Sequence, residues 1–243
     1  MKKRIDLLLV EKNLIETRSK AQAMIMAGQI FVNDKIVKKS GETFETNSII
    51  KIKSLHNEWV SRGAIKLLHA INYFDINIDN KVCLDIGAST GGFSQVLLKN
   101  NAKKIYAVDV GFNQMHESLK KEEKITNIEK TNARYLDKKI ILETIDFIVC
   151  DVSFISMKKV LLPNIDLLNS KKGKIVGLIK PQFEAKKNEI KKGVVKDQLV
   201  HERICNDFKN WFEIYCNMKN IGLVQSPING PKGNIEYLIY VGY

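Results

Sequence analysis

The 243-residue sequence predicts an α/β protein in which an open, mostly parallel sheet is covered by helices and preceded by a small α+β module. Two observations carry this. Short, nearly all-apolar runs rich in β-branched residues, at 81–85, 104–109, 145–151 and 174–180, read as parallel strands buried on both faces. They alternate with amphipathic stretches at 92–100, 157–169 and 198–217, and that alternation builds a sheet through crossover connections. The first 55 residues follow another pattern. The chain therefore divides into a module at 1–55, a connector at 56–62 and a larger domain at 63–243.

In the first module, Ile5, Leu8 and Leu9, then Ala21, Met24 and Ile25, recur at helical spacing on either side of a turn at Asn13. Thr17 or Ser19 caps the second helix, and Gly28 ends it. Residues 29–37 alternate about Asn33-Asp34 as a β-hairpin does, and 48–52 supply a last strand. Arg18, Lys20 and Gln22 open the second helix, where backbone N–H groups and cations both favour phosphate. The whole chain carries 39 Lys+Arg against 27 Asp+Glu, a net charge of +12, which favours a polyanionic partner such as nucleic acid.

The four cysteines, Cys83, Cys150, Cys205 and Cys216, form no Cys-x-x-Cys pair and sit in apolar or helical stretches. They read as reduced, buried thiols, with no metal site and no disulfide framework. The basic start fails as a secretion signal because its short apolar run is broken by Asp6 and followed at once by Glu11 and Lys12. No apolar run reaches the ~18 residues that span a bilayer. A soluble, cytoplasmic protein is expected, without membrane association.

In the larger domain, residues 82–93 (Val-Cys-Leu-Asp-Ile-Gly-Ala-Ser-Thr-Gly-Gly-Phe) place a glycine-rich turn between a buried strand and a helix. Gly87 permits the tight turn, while Gly91 and Gly92 permit close backbone approach, with Ala88, Ser89 and Phe93 completing the loop. No Gly-Lys-Ser/Thr follows, so a P-loop is excluded. Asp85 would repel a pyrophosphate but suits the positively charged methionine end of S-adenosylmethionine. Asp109, ending the next strand, stands where an acid receives ribose hydroxyls, and Asn132 is placed to meet the adenine.

Ligands of open α/β sheets gather at the carboxyl ends of the strands, where Asp151 and Lys180 also lie. A last strand at 236–241, following 221–226 through a Gly- and Pro-rich turn, runs antiparallel, so its beginning, Glu236, reaches the same rim. Lys66 lies on the helix that leads into the first strand. Cys150 points to the opposite side by alternation, which excludes it as a nucleophile. No Asn-Pro-Pro-Tyr follows the strand at 145–151, where Asp151-Val-Ser-Phe154 stands, which argues against an amino-group acceptor.

These residues carry resemblances. Arg4-Ile-Asp-Leu-Leu, Thr17-Arg-Ser-Lys-Ala-Gln22 and Met26-Ala-Gly-Gln-Ile-Phe-Val-Asn33 resemble the S4 RNA-binding domain. The larger domain resembles Rossmann-like class I methyltransferases, which implies a seven-stranded sheet with an antiparallel last strand. Lys66, Asp151, Lys180 and Glu236 resemble the Lys-Asp-Lys-Glu tetrad of FtsJ-like RNA 2′-O-methyltransferases. In that chemistry an amine takes the proton of a ribose 2′-hydroxyl, helped by desolvation and a neighbouring cation. The resemblance implies Lys180 as base, Asp151 positioning it and the methyl donor, and Lys66 with Glu236 holding the ribose.

The stretches 180–184, 193–197 and 230–236, with His201, are similar to blocks of the TlyA (hemolysin A) family over nearly the whole chain. That resemblance implies a ribosomal RNA (cytidine-2′-O)-methyltransferase using S-adenosylmethionine and acting on ribosomal RNA or a ribosomal subunit. It leans to the large-subunit 23S RNA, with 16S RNA open as a further target, because the chain starts almost at the S4 pattern and stops just after the last strand. Arg4, Arg18, Lys20, Gln22, Lys35, Arg62, Lys186 and Lys187 are the implied RNA contacts, and a monomer is expected. Lys186, Lys187, Lys191 and Lys192 form either a loop over the site facing phosphates or a solvated one. Some members carry an arginine two residues before the connector tryptophan, where it couples the domains. Asn57 stands there before Trp59, so that coupling is absent or falls to Arg62. Two rival readings are a non-enzymatic ribosome-assembly factor and, from the hemolysin label, a membrane-lytic protein.

Overall fold

A computed structural model describes residues 2–15, 17–26, 28–52, 59–136 and 138–243. Its contacts divide the chain into two compact units, Met1–Glu58 and Trp59–Tyr243. Asn57 and the rest of 53–58 lie outside the described residues.

In the first unit, β1 (Lys2–Arg4) runs into α1 (Ile5–Glu11), followed by α2 (Arg18–Met26), β2 (Ile30–Val32), β3 (Lys35–Ile36), β4 (Thr43–Glu45) and β5 (Ile50–Ile52). Thr17 caps α2 by accepting the Lys20 N–H at 3.2 Å. Asn33 and Asp34 both take positive φ, as a two-residue hairpin turn between β2 and β3 requires. β5 pairs with β2, and the helices bury Ile5, Leu8, Leu9, Ala21 and Ile25 against this small sheet. The antiparallel β1–β4 ribbon is an addition to the expected outline. Its strands are three residues long and rich in charge, so no apolar alternation marks them.

A single carboxylate organises this unit. Asp6 sits in the apolar stripe of α1, fully buried. Arg4 donates to both its oxygens at 3.1 and 3.0 Å, while Arg18 Nε and Gln22 Nε2 each donate to Oδ2 at 3.0 Å. The Arg4 hydrogen bond leads the causes that hold the Asp6 carboxyl far below its usual range. Arg4, Arg18 and Gln22, expected at an RNA surface, are thus also internal partners of Asp6. Both arginine side chains remain about half exposed, and Lys20 and Lys35 are exposed.

The second unit opens with residues 59–62 packed onto it. Val60 N–H donates to Gln95 Oε1 at 2.7 Å, and Lys99 Nζ sits 4.5 Å from the Trp59 ring centroid. Then follow α3 (Gly63–Tyr73), β6 (Val82–Ile86), α4 (Gly92–Lys99), β7 (Lys104–Val108), α5 (Glu117–Lys120), β8 (Ile125–Ile128) and β9 (Phe147–Cys150). The chain ends with α6 (Met157–Leu161), β10 (Lys174–Ile179), α7 (Pro181–Glu184), α8 (Gln198–Cys216), β11 (Lys219–Gln225) and β12 (Tyr237–Gly242). The helix expected over 157–169 stops at Leu161 and tightens into a 3₁₀ segment, Leu162–Leu167, because Pro163 cannot donate to the helical ladder.

The seven strands lie in the order β11-β12-β10-β9-β6-β7-β8. β6 through β10 run parallel to one another, and β12 runs antiparallel between β10 and β11. Two apolar layers cover the sheet. One holds Phe208, Trp211 and Phe212 of α8, and the other holds Ala64, Leu67 and Ile71 of α3 with Val96 and Leu97 of α4. All four cysteines are buried. Strand order reverses between β6 and β9, opening a crevice beyond their carboxyl ends.

Asp6→Ala in the full chain should lower the stability of the first unit by about 1–3 kcal/mol, read by hydrogen exchange of the α1 amides. Because the folded-state pKa is depressed, the stabilisation from Asp6 is present above the unfolded value of 3.8 and is lost as pH falls toward the folded one. Exchange rates in the variant equal to wild type would refute the organising role.

Candidate active site

The crevice is a cleft of about 460 Å³ at the carboxyl ends of β6, β7 and β9. A hollow of about 520 Å³ precedes β9 and β10 at the opposite ends of the strands, lined by Glu143, Asn169, Lys171 and Tyr243, away from the glycine turn and the charged rim. Gly87 turns the chain out of β6, and the N–H groups of Gly87 and Ala88 both donate to Val108 O, at 2.9 and 3.1 Å. Gly87 has φ +85°, and a Cβ there would stand 2.3 Å from the Asp151 carbonyl oxygen. Only glycine allows β6 and β9 to close on one another here. Gly91, at φ +92°, starts α4 with Leu119 packed where its side chain would be.

Gly87, Ser89, Asp109, Asn132 and Asp151 line the cleft. Asp109 Oδ2 accepts the Ser89 N–H at 2.8 Å and Oδ1 the Gly111 N–H at 2.7 Å, which fixes the carboxylate at the end of β7. Asn132 Oδ1 accepts the Arg134 N–H at 3.1 Å, so this side chain also shapes the turn it stands on. Five other loop residues expected at the cofactor lie off the cleft lining. Ala88 and Phe93 belong to the core, Gly91 and Gly92 pack against Leu119 and Ser61, and Asp85 is fully buried. Ser94 Oγ donates to Asp85 Oδ2 at 2.6 Å, while Asp85 Oδ1 has no partner. Desolvation pushes the Asp85 carboxyl up to about 7. Val110, Gln114, Phe154 and Ile155 complete the walls and escaped the sequence reading. Phe154 is 90% exposed at φ +64°, a conformation an aromatic residue rarely holds.

Beside the cleft the rim brings four charges into two pairs. Lys180 Nζ lies 2.5 Å from Asp151 Oδ1 and donates to Ser153 Oγ at 2.9 Å. Lys66 Nζ donates to Glu236 Oε2 at 2.6 Å, with both residues buried. Gln182 Nε2 reaches Glu236 Oε1 at 3.4 Å, tying the second pair to the segment that carries Lys180. Register explains the meeting, since Ile179 pairs with Tyr237 and the next residues along each strand are Lys180 and Glu236. Cys150 is buried on the core side, and desolvation raises its thiol well above the usual range. Arg62 Nη2 donates to Asn229 O at 3.4 Å, while Lys186 and Lys187 are exposed beside a 3₁₀ turn. No group of metal-ligating side chains occurs among the described residues.

A family model, FtsJ-like methyltransferase, matches residues 59–243. The chain belongs to that family. The S4 domain model matches residues 3–50. Hemolysin A of Brachyspira hyodysenteriae is 41% identical over 98% of each chain. The 16S/23S rRNA (cytidine-2′-O)-methyltransferase TlyA of Mycobacterium tuberculosis is 36% identical over 98% of this chain and 89% of its own. The 23S rRNA (cytidine-2′-O)-methyltransferase TlyA of Campylobacter jejuni is 39% identical, covering 95% and 96%. A solved structure from Streptococcus thermophilus, provisionally named a hemolysin, superposes with a TM-score of 0.76 at 36% identity over 99% of this chain and 88% of its own.

S-adenosylmethionine is the cofactor of this methyltransferase fold. The cleft fits it on two counts, the glycine-only approach at Gly87 and the fixed carboxylate of Asp109, and the unpartnered Asp85 Oδ1 lies behind the lining, beneath the loop. Apolar Val110, Ala133 and Ile155 offer walls for a flat base.

Gly87→Ala should abolish S-adenosylmethionine binding in calorimetry, since the added methyl collides with the Asp151 backbone; retained affinity would show that the approach can relax. The raised pKa of Asp85 means that the folded state keeps a proton which the unfolded state releases between 3.8 and about 7. Stability of the ligand-free protein should therefore fall with rising pH through that window. Asp85→Asn should flatten this slope in denaturant unfolding, and an unchanged slope would assign it elsewhere.

Proposed function

We propose that this protein transfers a methyl group from S-adenosylmethionine to the ribose 2′-hydroxyl of a cytidine in ribosomal RNA. The observation that carries this reading is the pair of lysine–carboxylate contacts, Lys180–Asp151 and Lys66–Glu236, on the rim of the cofactor cleft. Both relatives whose names specify a target include 23S RNA, which supports the large subunit as substrate. Such an enzyme works in the cytoplasm, and we assign it as a monomer. No described helix is long and apolar enough to cross a membrane.

When bound, the cofactor supplies an electrophilic methyl on a positively charged sulfur. Everything else falls to the chain. An ammonium has three N–H groups: Ser153 accepts from one at 2.9 Å, and the Asp151 carboxylate, an ion-pair partner rather than an aligned hydrogen-bond acceptor, faces a second. The third is left for the 2′-oxygen. In its neutral form Lys180 removes the hydroxyl proton as the oxygen attacks, and Asp151 stabilises the ammonium that results. Asp151 also fixes the base beside the cleft, because its own backbone closes on Gly87. Lys66, held by Glu236, presents a cation toward the ribose, and Gln182 fixes Glu236 from the other side. Holding acceptor and donor in line supplies much of the remaining acceleration. Arg4, Arg18, Lys20, Gln22 and Lys35 of the S4 unit, with Arg62, Lys186 and Lys187, contact RNA away from the reacting sugar.

Tritiated methyl transfer to ribosomal subunits from cells lacking the gene, followed by mapping of the product, tests this directly. Wild type should label a ribose 2′-oxygen in 23S RNA. Lys180→Ala should reduce kcat at least 10²-fold, the usual weight of a general base, while its S-adenosylmethionine affinity stays within a few-fold. Equal labelling by the two proteins would sink Lys180 as base, and label on a nucleobase would sink the sugar as acceptor.

A further inference from the structure

Two tight turns meet next to the rim. In the first, Lys191 and Val194 exchange backbone hydrogen bonds of 2.9 and 3.0 Å around Lys192 and Gly193, whose φ values are +52° and +81°. In the second, Pro231–Gly233, Lys232 and Gly233 take φ of +58° and +81°. The first is a two-residue reversal and the second a three-residue 3₁₀ turn closed by the Gly230 N–H donating to Asn234 O at 2.8 Å, and each projects a lysine from a left-handed backbone position.

The buried amide of Asn234 holds the two together. Its Nδ2 donates to Gly193 O and to Pro231 O, both at 3.0 Å, and its Oδ1 accepts the Val195 N–H at 3.4 Å. His201 Nε2 meets Val195 O at 3.0 Å from the α8 side. The resulting groove, about 730 Å³, is lined by Lys191, Lys192, Lys196 and Lys232 over Val194 and Ile235. The two acids of this segment line a neighbouring hollow with Lys191 and Lys196 but form no ion pair with them. Glu189 takes two bonds from Arg203, at 2.9 and 2.7 Å, and Asp197 caps α8 through the Leu199 N–H. Among the described residues none of the four groove lysines pairs with a carboxylate. Four lysines without an ion-pair partner, on a wall held by Asn234, outnumber the two nearby acids and make a site for an extended polyanion. Ile235 lines the groove and Glu236, which holds Lys66, follows it in the chain.

We propose that this groove binds consecutive phosphates of the RNA strand flanking the target nucleotide, and that Asn234 is the positioning residue that sets the groove against Glu236. The proposal takes the polyanion to be RNA from the function proposed above, and adds where the strand runs. Ammonium groups act on phosphate as point charges, so the groove places the strand and does not read its sequence.

The test uses the full chain carrying Lys191→Gln, Lys192→Gln, Lys196→Gln and Lys232→Gln together, all exposed positions, and separately Asn234→Ala. Methyl-transfer kinetics and filter binding of ribosomal RNA are measured across a salt series, with S-adenosylmethionine affinity measured by calorimetry. The four-glutamine protein should show KM for RNA raised about tenfold with kcat within about twofold, and a salt slope of RNA binding reduced by about 2 to 3. Asn234→Ala should give the same split between KM and kcat, and combining it with the glutamines should add little further to KM. S-adenosylmethionine affinity should hold in all three proteins. Unchanged KM and salt slope in the four-glutamine protein would overturn the groove. Fully additive KM effects, or a loss confined to kcat, would overturn the role of Asn234. Failure of wild type to methylate RNA that it binds would overturn the function proposed above, while the salt slope of binding alone would still decide the groove.

Discussion

The site depends on one antiparallel strand. Were β12 parallel to β10, its beginning would lie at the far edge of the sheet and Glu236 would face away from the cleft. Running antiparallel, it delivers Glu236 opposite Lys180 through the pairing of Ile179 with Tyr237. Lys66 then has a buried carboxylate to meet, and Gln182 a second contact to make. Burying a lysine costs several kcal/mol unless it is paired, so helix α3 and strand β12 constrain each other through this contact. The two lysine–carboxylate pairs sit where two chain directions meet.

A second constraint works on the other side of the cleft. The close approach of Gly87 to the Asp151 carbonyl means that the glycine turn and the end of β9, which carries Asp151, share one backbone contact. Ser153, two residues further on, holds Lys180. Glu184 reaches back to accept the Met157 N–H at 2.9 Å, and desolvation there raises its carboxyl above the usual range. The loop from 151 to 157 is therefore braced at both ends by residues of the segment after β10. Displacement of the cofactor cleft and of Lys180 would be correlated, as the proposed two-substrate reaction requires.

Much of this was legible in the chain. Runs such as Phe147–Cys150 and Lys174–Ile179 are buried on both faces, so composition alone marks them as central strands. The glycine turn and the acids at strand ends were readable because strand–turn–helix topology fixes where such residues go. Charge pairing was harder. The sequence placed Lys66, Asp151, Lys180 and Glu236 on one rim, but which amine meets which carboxylate depends on strand register. Asp6 left a faint mark, an acid inside an apolar helical stripe between Ile5 and Leu9, yet no pattern says that Arg4, Arg18 and Gln22 converge on it. Phe154 and Val110 reach the cleft through local backbone geometry, and Asn234 acts through carbonyls, which any residue supplies.

The buried cysteines have a consequence of their own. Burial raises every one of the four thiols above its ordinary range, so none is a ready thiolate in the folded protein, and reaction with oxidants or alkylating agents is slowed. They are also unevenly divided. Cys83 lies in the layer beneath α3 and α4, while Cys150, Cys205 and Cys216 lie in the layer beneath α8. Each face of the sheet thus carries its own silent label, and the order in which the thiols become reactive reports which side of the molecule opens first.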